Sequence, residues 1–132
     1  MLHNMAHILV IEDNSWNMQI AQLLLERAGH EVLQATDAPQ GLALARSELP
    51  QLILMDLNLP GLDGFEATRL LKQDDATRKI KIYAYTPWFS ELDDPAEYAK
   101  IRHAGCDGII PKNSSPADFL AAVTQALNED SV

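Results

Sequence analysis

The chain has 132 residues, 47% of them hydrophobic, which is room for one domain with a packed core and too apolar for a disordered segment. Its 19 acidic residues against 10 Lys and Arg leave a net charge of −9, which repels nucleic-acid backbones and argues against direct DNA or RNA binding. No apolar stretch approaches membrane-span length, the N-terminal apolar run is too short for a secretory signal, and the single Cys106 can form no intrachain disulfide; the reading is a cytoplasmic protein with no membrane partner.

Strand and helix signals alternate along the chain without a linker or an internal repeat. Met1 to Asn4 stand ahead of a second methionine, Met5, so residues 1–6 read as an N-terminal extension, 7–128 as one domain and 129–132 as a tail. The apolar run Ile8 to Ile11 predicts a strand and ends in the acidic pair Glu12-Asp13. Asn14 or Ser15 then caps a helix carrying Ile20, Leu23 and Leu24, which Gly29 ends. His30 to Ala35 predict a second strand, and Asp37 caps a helix with Leu42, Ala45 and Leu49 at helical spacing, closed by Pro50. Leu52 to Met55 read as a strand covered on both faces; it ends in Asp56, ahead of a turn forced by Pro60-Gly61. Gly64 to Lys72 form a third helix, with Phe65, Thr68 and Leu71 at intervals of three. Ile80 to Tyr85 form a fourth strand ending at Thr86, and Pro95 to Ala104 a fourth helix. Gly108 to Ile110 make a short fifth strand followed by Lys112, and Pro116 opens a helix with Phe119, Leu120, Val123 and Leu127 in register.

Five strands alternating with five helices imply right-handed crossovers and an α/β fold with a doubly wound parallel sheet. The flavodoxin-like strand order 2-1-3-4-5 makes strands 1, 3, 4 and 5 neighbours. Their C-terminal ends are then the edge where open α/β folds bind ligands. Glu12, Asp13, Asp56, Thr86 and Lys112 meet there. Two carboxylates at ~4 Å repel by roughly 4 kcal/mol at an effective dielectric of 20, so the cluster calls for a proton or a cation. Magnesium fits, being a hard ion that takes oxygen ligands and keeps several waters.

An acidic pair after the first strand, Asp56 before Pro60-Gly61, Thr86 after the fourth strand and Lys112 after the fifth resemble the receiver domain of two-component response regulators, over about residues 7–127. The chemotaxis receiver of that family has the same strand order. The resemblance implies that Asp56 accepts a phosphoryl group, with magnesium, from the phosphohistidine of a histidine kinase or histidine phosphotransfer protein. It implies Asp13 and Asp56 as direct magnesium ligands, Glu12 acting through water, and the Asn58 backbone carbonyl as a further oxygen. Lys112 would bind one phosphoryl oxygen and the Thr86 hydroxyl another. The chain would be a signalling protein rather than an enzyme acting on an outside substrate, although it would catalyse phosphoryl transfer to Asp56 and hydrolysis from it. With five residues after Leu127, it is expected to act by changing its affinity for a downstream protein, and a homodimer is left open.

Three positions depart from the family pattern. Pro87 follows Thr86 and has no N–H to donate to a phosphoryl oxygen. Asn113 follows Lys112 where the family has a proline after a cis peptide; the cis form costs ~2.5–4 kcal/mol before a non-proline residue, so a trans bond is expected. Ile109 stands three residues before Lys112 in place of an aromatic. The stretch Pro87 to Pro95 also looks longer than usual, and its Trp88 and Phe89 read either as cover for the core edge or as anchors for a partner. Of the competing functions, an aspartyl-phosphate hydrolase of the haloacid dehalogenase type needs an acid where Asn58 stands. An FMN carrier needs a phosphate-friendly first loop, which Glu12-Asp13 would oppose. A pseudo-receiver that binds partners without phosphorylation is the alternative that remains. His3, His7, His30 and His103 have no zinc-ligand spacing and read as structural or surface residues, and Cys106 as a small core residue.

Overall fold

A computed structural model describes residues 6–87 and 92–129. In chain order the elements are β1 (His7–Ile11), α1 (Ser15–Arg27), β2 (Glu31–Ala35), α2 (Ala38–Glu48), β3 (Leu52–Asp56), α3 (Gly64–Gln73), β4 (Lys81–Thr86), α4 (Pro95–Ala104), β5 (Gly108–Pro111) and α5 (Pro116–Asn128). The five strands form one parallel sheet in the order β2-β1-β3-β4-β5, as expected from the sequence. Met1 to Met5, and with them His3, lie outside the described residues, as do Trp88 and Phe89.

Each helix starts where a short polar side chain takes up a free backbone N–H. Asn14 accepts from Asn17, Asp37 from Gln40, Asp63 from Glu66, Asp94 from Glu97 and Ser115 from Asp118. Side chains alternate across the strands, so the buried run of β3 feeds two cores. Ile53 and Met55 join Leu42 of α2, Phe65 and Leu71 of α3 and Ile101 of α4 on one face. Leu52 and Leu54 join Met18 and Leu25 of α1 and Phe119 and Val123 of α5 on the other. Burial on both faces leaves β3 one exit for a polar side chain, its C-terminal end.

Two helical faces differ from the sequence reading. In α1 the buried residues are Met18, Ala21 and Leu25, while Ile20 and Leu23 are 40% and 52% exposed and Leu24 is half-buried. Apolar residues lie on more than one side of this helix. Positions 18, 21 and 25 make the stripe that the sheet covers, and the small Ala21 lets the helix sit close. Leu49 is not part of the α2 stripe: it caps the helix with φ 48° in the left-handed region and is 56% exposed, turned away before Pro50. At the ends of the fold, Ala6 is buried and its carbonyl accepts from Glu31 N–H, and the Glu129 carboxylate accepts from the Tyr83 hydroxyl at 2.7 Å. All peptide bonds among the described residues are trans, Lys112–Asn113 included.

Candidate functional site

Parallel pairing sends the ends of β1, β3, β4 and β5 to one edge of the sheet, and the polar residues gather there. After Ile11, the Glu12 backbone N–H donates to Ala35 at 2.9 Å, which carries the ladder one residue further and turns the Glu12 side chain inward to 1% exposure. Its Oε2 accepts from Asn14 N–H at 3.0 Å. Asp13 follows at the surface. Asp56, the last residue of β3, is 3% exposed, and its Oδ1 accepts from Asn58 N–H at 3.0 Å. Asn58 is thus brought beside Asp56 through its amide.

Lys112 approaches from β5. Its backbone N–H donates to the Thr86 carbonyl at 2.9 Å, continuing the β4–β5 pairing past Pro111. Its Nζ reaches Glu12 Oε1 at 2.7 Å and Asp56 Oδ1 at 3.4 Å. Thr86 is one residue beyond Tyr85, the register partner of Asp56, and is itself buried. The structure therefore brings together Glu12, Asp13, Asp56, Asn58, Thr86 and Lys112, all the residues the sequence nominated.

One carboxylate oxygen each from Glu12, Asp13 and Asp56 lies within 4.8 Å of the others, which suits a hard divalent cation. Against these three carboxylates the cluster carries, among the described residues, one ammonium, Lys112. Burial pushes the Glu12 carboxyl above the usual range; the Lys112 and Asn14 contacts oppose that shift, and the Asp56 charge adds to it. Among the described residues, Glu12 Oε1 has no hydrogen-bond donor besides that ammonium. A buried acid raised in this way, beside a second buried acid, is a site that a cation would relieve.

Two residues of the site escape a reading by sequence. Tyr85 is 3% exposed, its ring centroid stands 5.5 Å from Lys112 Nζ, and it packs on Phe119 at 5.9 Å between centroids. Burial, with the nearby Glu12 and Asp56 charges, pushes its phenol up to about 12. The one signal available was a phenol in a buried strand directly before Thr86. Gly64 is the other: a Cβ there would overlap the Asp56 carbonyl oxygen and lie 2.8 Å from Leu57 Cα. Only glycine lets the start of α3 approach the end of β3 so closely.

The remaining histidines among the described residues, and Cys106, lie in structural or surface positions. His30 is buried with Nδ1 unpartnered among the described residues, His7 pairs with Glu31 at 2.8 Å, His103 is exposed and Cys106 is buried. No helix among the described residues is long and apolar enough to cross a membrane.

Compared with known proteins, residues 8–124 match the response regulator receiver domain. The polar-differentiation response regulator DivK of Brucella anthropi is 34% identical over 122 residues, covering 92% of this chain and 96% of that protein. Among solved structures, the Vibrio cholerae chemotaxis protein CheY4 superposes with a TM-score of 0.84 at 25% identity, over 92% of this chain and 98% of that one. The receiver domain of sensor histidine kinase PA1611 from Pseudomonas aeruginosa PAO1, with a magnesium ion coordinated in its active-site cleft, superposes with a TM-score of 0.81 at 25% identity, over 94% and 98%.

Proposed function

Because this chain belongs to the response regulator receiver domain family of two-component signalling, we propose that it is a phosphoacceptor whose Asp56 takes a phosphoryl group from a phosphohistidine. The observation that carries this reading is the convergence of Asp56 with Glu12, Asp13 and Lys112 at one end of the sheet. Glu12, Asp13 and Asp56, with Asn58, would hold magnesium, which when bound neutralises charge on the phosphoryl oxygens. The magnesium of the Pseudomonas receiver supports that assignment.

In the transfer, a carboxylate oxygen of Asp56 forms a bond to phosphorus as the P–N bond to the donor imidazole breaks, and the electron pair leaves with the imidazole nitrogen. Phosphoryl transfer needs positioning and charge stabilisation more than acid–base work. Asp56 is suited to the first, since its Oδ1 is oriented by Asn58 N–H. Lys112 is suited to the second: its ammonium already stands 3.4 Å from that oxygen and would bind a phosphoryl oxygen. Thr86 would donate its hydroxyl to another. Hydrolysis of the acyl phosphate resets the site.

The donor is a histidine kinase or histidine phosphotransfer protein. The output is a changed affinity for a downstream protein, since the acyl phosphate adds about one further negative charge at a buried edge. The binding-only alternative draws its support from Pro87, which offers no N–H beside Thr86. Intact-mass measurement after incubation with magnesium and a small acyl phosphate separates the two. The phosphoacceptor gains one phosphoryl group, needs magnesium and loses the modification in Asp56→Asn. An unmodified wild type, or equal modification of Asp56→Asn, would leave the binding-only module standing.

A further inference from the structure

We propose that Tyr85 is a positioning residue for Lys112: its ring face retains the ammonium at the site when a cation engages the carboxylates that otherwise pair with it. This rests on the reading of Asp56 as phosphoacceptor and of the acidic cluster as its cation site.

Lys112 carries its charge on a flexible four-carbon stem, and both of its ion-pair partners, the Glu12 and Asp56 carboxylates, belong to the acidic cluster that would hold the cation. A divalent ion bound there would draw on the same two carboxylates and repel the ammonium. The lysine therefore loses its hold at the moment it is needed for the incoming phosphoryl group. The Tyr85 ring is the other contact that attracts it among the described residues, with its centroid 5.5 Å from Nζ, inside the ~6 Å reach of a cation–π interaction. An aromatic face offers no oxygen lone pair to a hard ion, so it does not compete for the metal.

The ring is also well fixed. Tyr85 lies in β4 between Asp56 of β3 and Ile110 of β5, and Phe119 of α5 packs against it with the rings inclined at 49°. The Lys112 backbone is tied to the same strand by its bond to the Thr86 carbonyl. Stem and ring thus hang from neighbouring residues of one ladder, which holds their separation when the carboxylates are taken.

The test has two arms. In the first, transfer from a small acyl phosphate at saturating magnesium is followed by intact mass for Tyr85→Phe, Tyr85→Leu and Tyr85→Met, in wild-type and Lys112→Ala backgrounds. Tyr85→Phe should transfer at close to the wild-type rate. The Leu and Met variants should lose roughly three- to tenfold, and neither should lose more in the Lys112→Ala background. The proposal is overturned if Tyr85→Phe falls as far as Tyr85→Leu, or if the losses multiply in that background, since either marks a role that does not pass through Lys112.

The second arm needs no donor. In protein labelled with carbon-13 at lysine, the Lys112 Hε resonances should be displaced upfield by the ring in wild type and Tyr85→Phe, and stay so when magnesium is added. A wild-type resonance that relaxes to the position of a solvent-exposed lysine on adding magnesium overturns the proposal. If the wild type takes up no phosphoryl group, the phosphoacceptor reading fails, and this second arm still decides the positioning on its own.

Discussion

Replacing Lys112 with methionine keeps the length of the stem and removes its charge, and the consequence can be worked from the distances. Nζ stands 2.7 Å from Glu12 Oε1 and 3.4 Å from Asp56 Oδ1. At an effective dielectric of 20 these correspond to gross attractions of ~6 and ~5 kcal/mol, most of which desolvation of the three groups offsets. What remains is the cost of leaving buried charge without its partner, ~3–5 kcal/mol when one member of a buried pair is deleted. The Lys112 side chain is 16% exposed, so water can follow it in and the lower end applies, about 3 kcal/mol. Set against a domain stability of ~5–15 kcal/mol, that is a large fraction, equivalent to a fall in Tm of roughly 10 °C. Urea unfolding followed by circular dichroism should give a lower midpoint with the slope unchanged. Adding Glu12→Gln to Lys112→Met should recover about 1–2 kcal/mol, because it removes the charge left stranded. If the acidic cluster takes up magnesium as proposed, millimolar magnesium should raise the midpoint of Lys112→Met, since the folded state alone assembles the cluster. A Lys112→Met midpoint within about 0.5 kcal/mol of wild type, or further loss on adding Glu12→Gln, would refute the charge balance argued for this edge.

Gly64→Ala should cost about 1–3 kcal/mol in the same urea assay, since its Cβ meets the Asp56 backbone. Gly41→Ala, whose Cβ meets the movable end of Ile11, should cost less, and the reverse order would contradict the packing described. Burial holds the His30 imidazole below its usual range, so the unfolded chain binds its proton first as pH falls. Its contribution to stability is whole above about pH 6.5 and declines below it until the folded-state pKa is passed. His30→Gln should flatten that part of the stability–pH curve, and an unaltered curve would assign the slope to other groups. Burial pushes the Cys106 thiol up to about 11, so an alkylating reagent at neutral pH should modify it only at the rate at which the protein opens, measured by mass as a function of urea. Rapid labelling of the native protein would place Cys106 at the surface instead.

Much of the fold can be read directly from the chain because local chemistry and global topology agree in it. A run such as Leu52 to Met55 has no polar residue to give to solvent, so it belongs inside a sheet covered on both sides, and a charged residue directly after it belongs at the strand's end. Asp37, Pro95 and Pro116 mark helix starts through the free N–H groups and the fixed φ that a first turn requires. Once the strands are parallel, every residue that follows one comes to the same edge. That is why Glu12, Asp13, Asp56, Thr86 and Lys112 could be nominated together from residues up to a hundred positions apart.

Facing and pairing were settled at the tertiary level. Whether α1 buries Met18, Ala21 and Leu25 or the stripe of Ile20 and Leu23 depends on how the helix lies on the sheet, because its own pattern offers the sheet more than one apolar side. Leu49 fits the helical spacing of α2, yet the chain leaves the helix there in a left-handed turn that spacing cannot reveal. The pairing of Lys112 with Glu12 rather than with Asp56 alone, the ring of Tyr85 near its ammonium and the closeness that only Gly64 permits are contacts between strands and helices distant in sequence. Periodicity reports the direction in which a side chain leaves its own element. It says nothing of what the neighbouring element brings to meet it, and only the packed sheet supplies that.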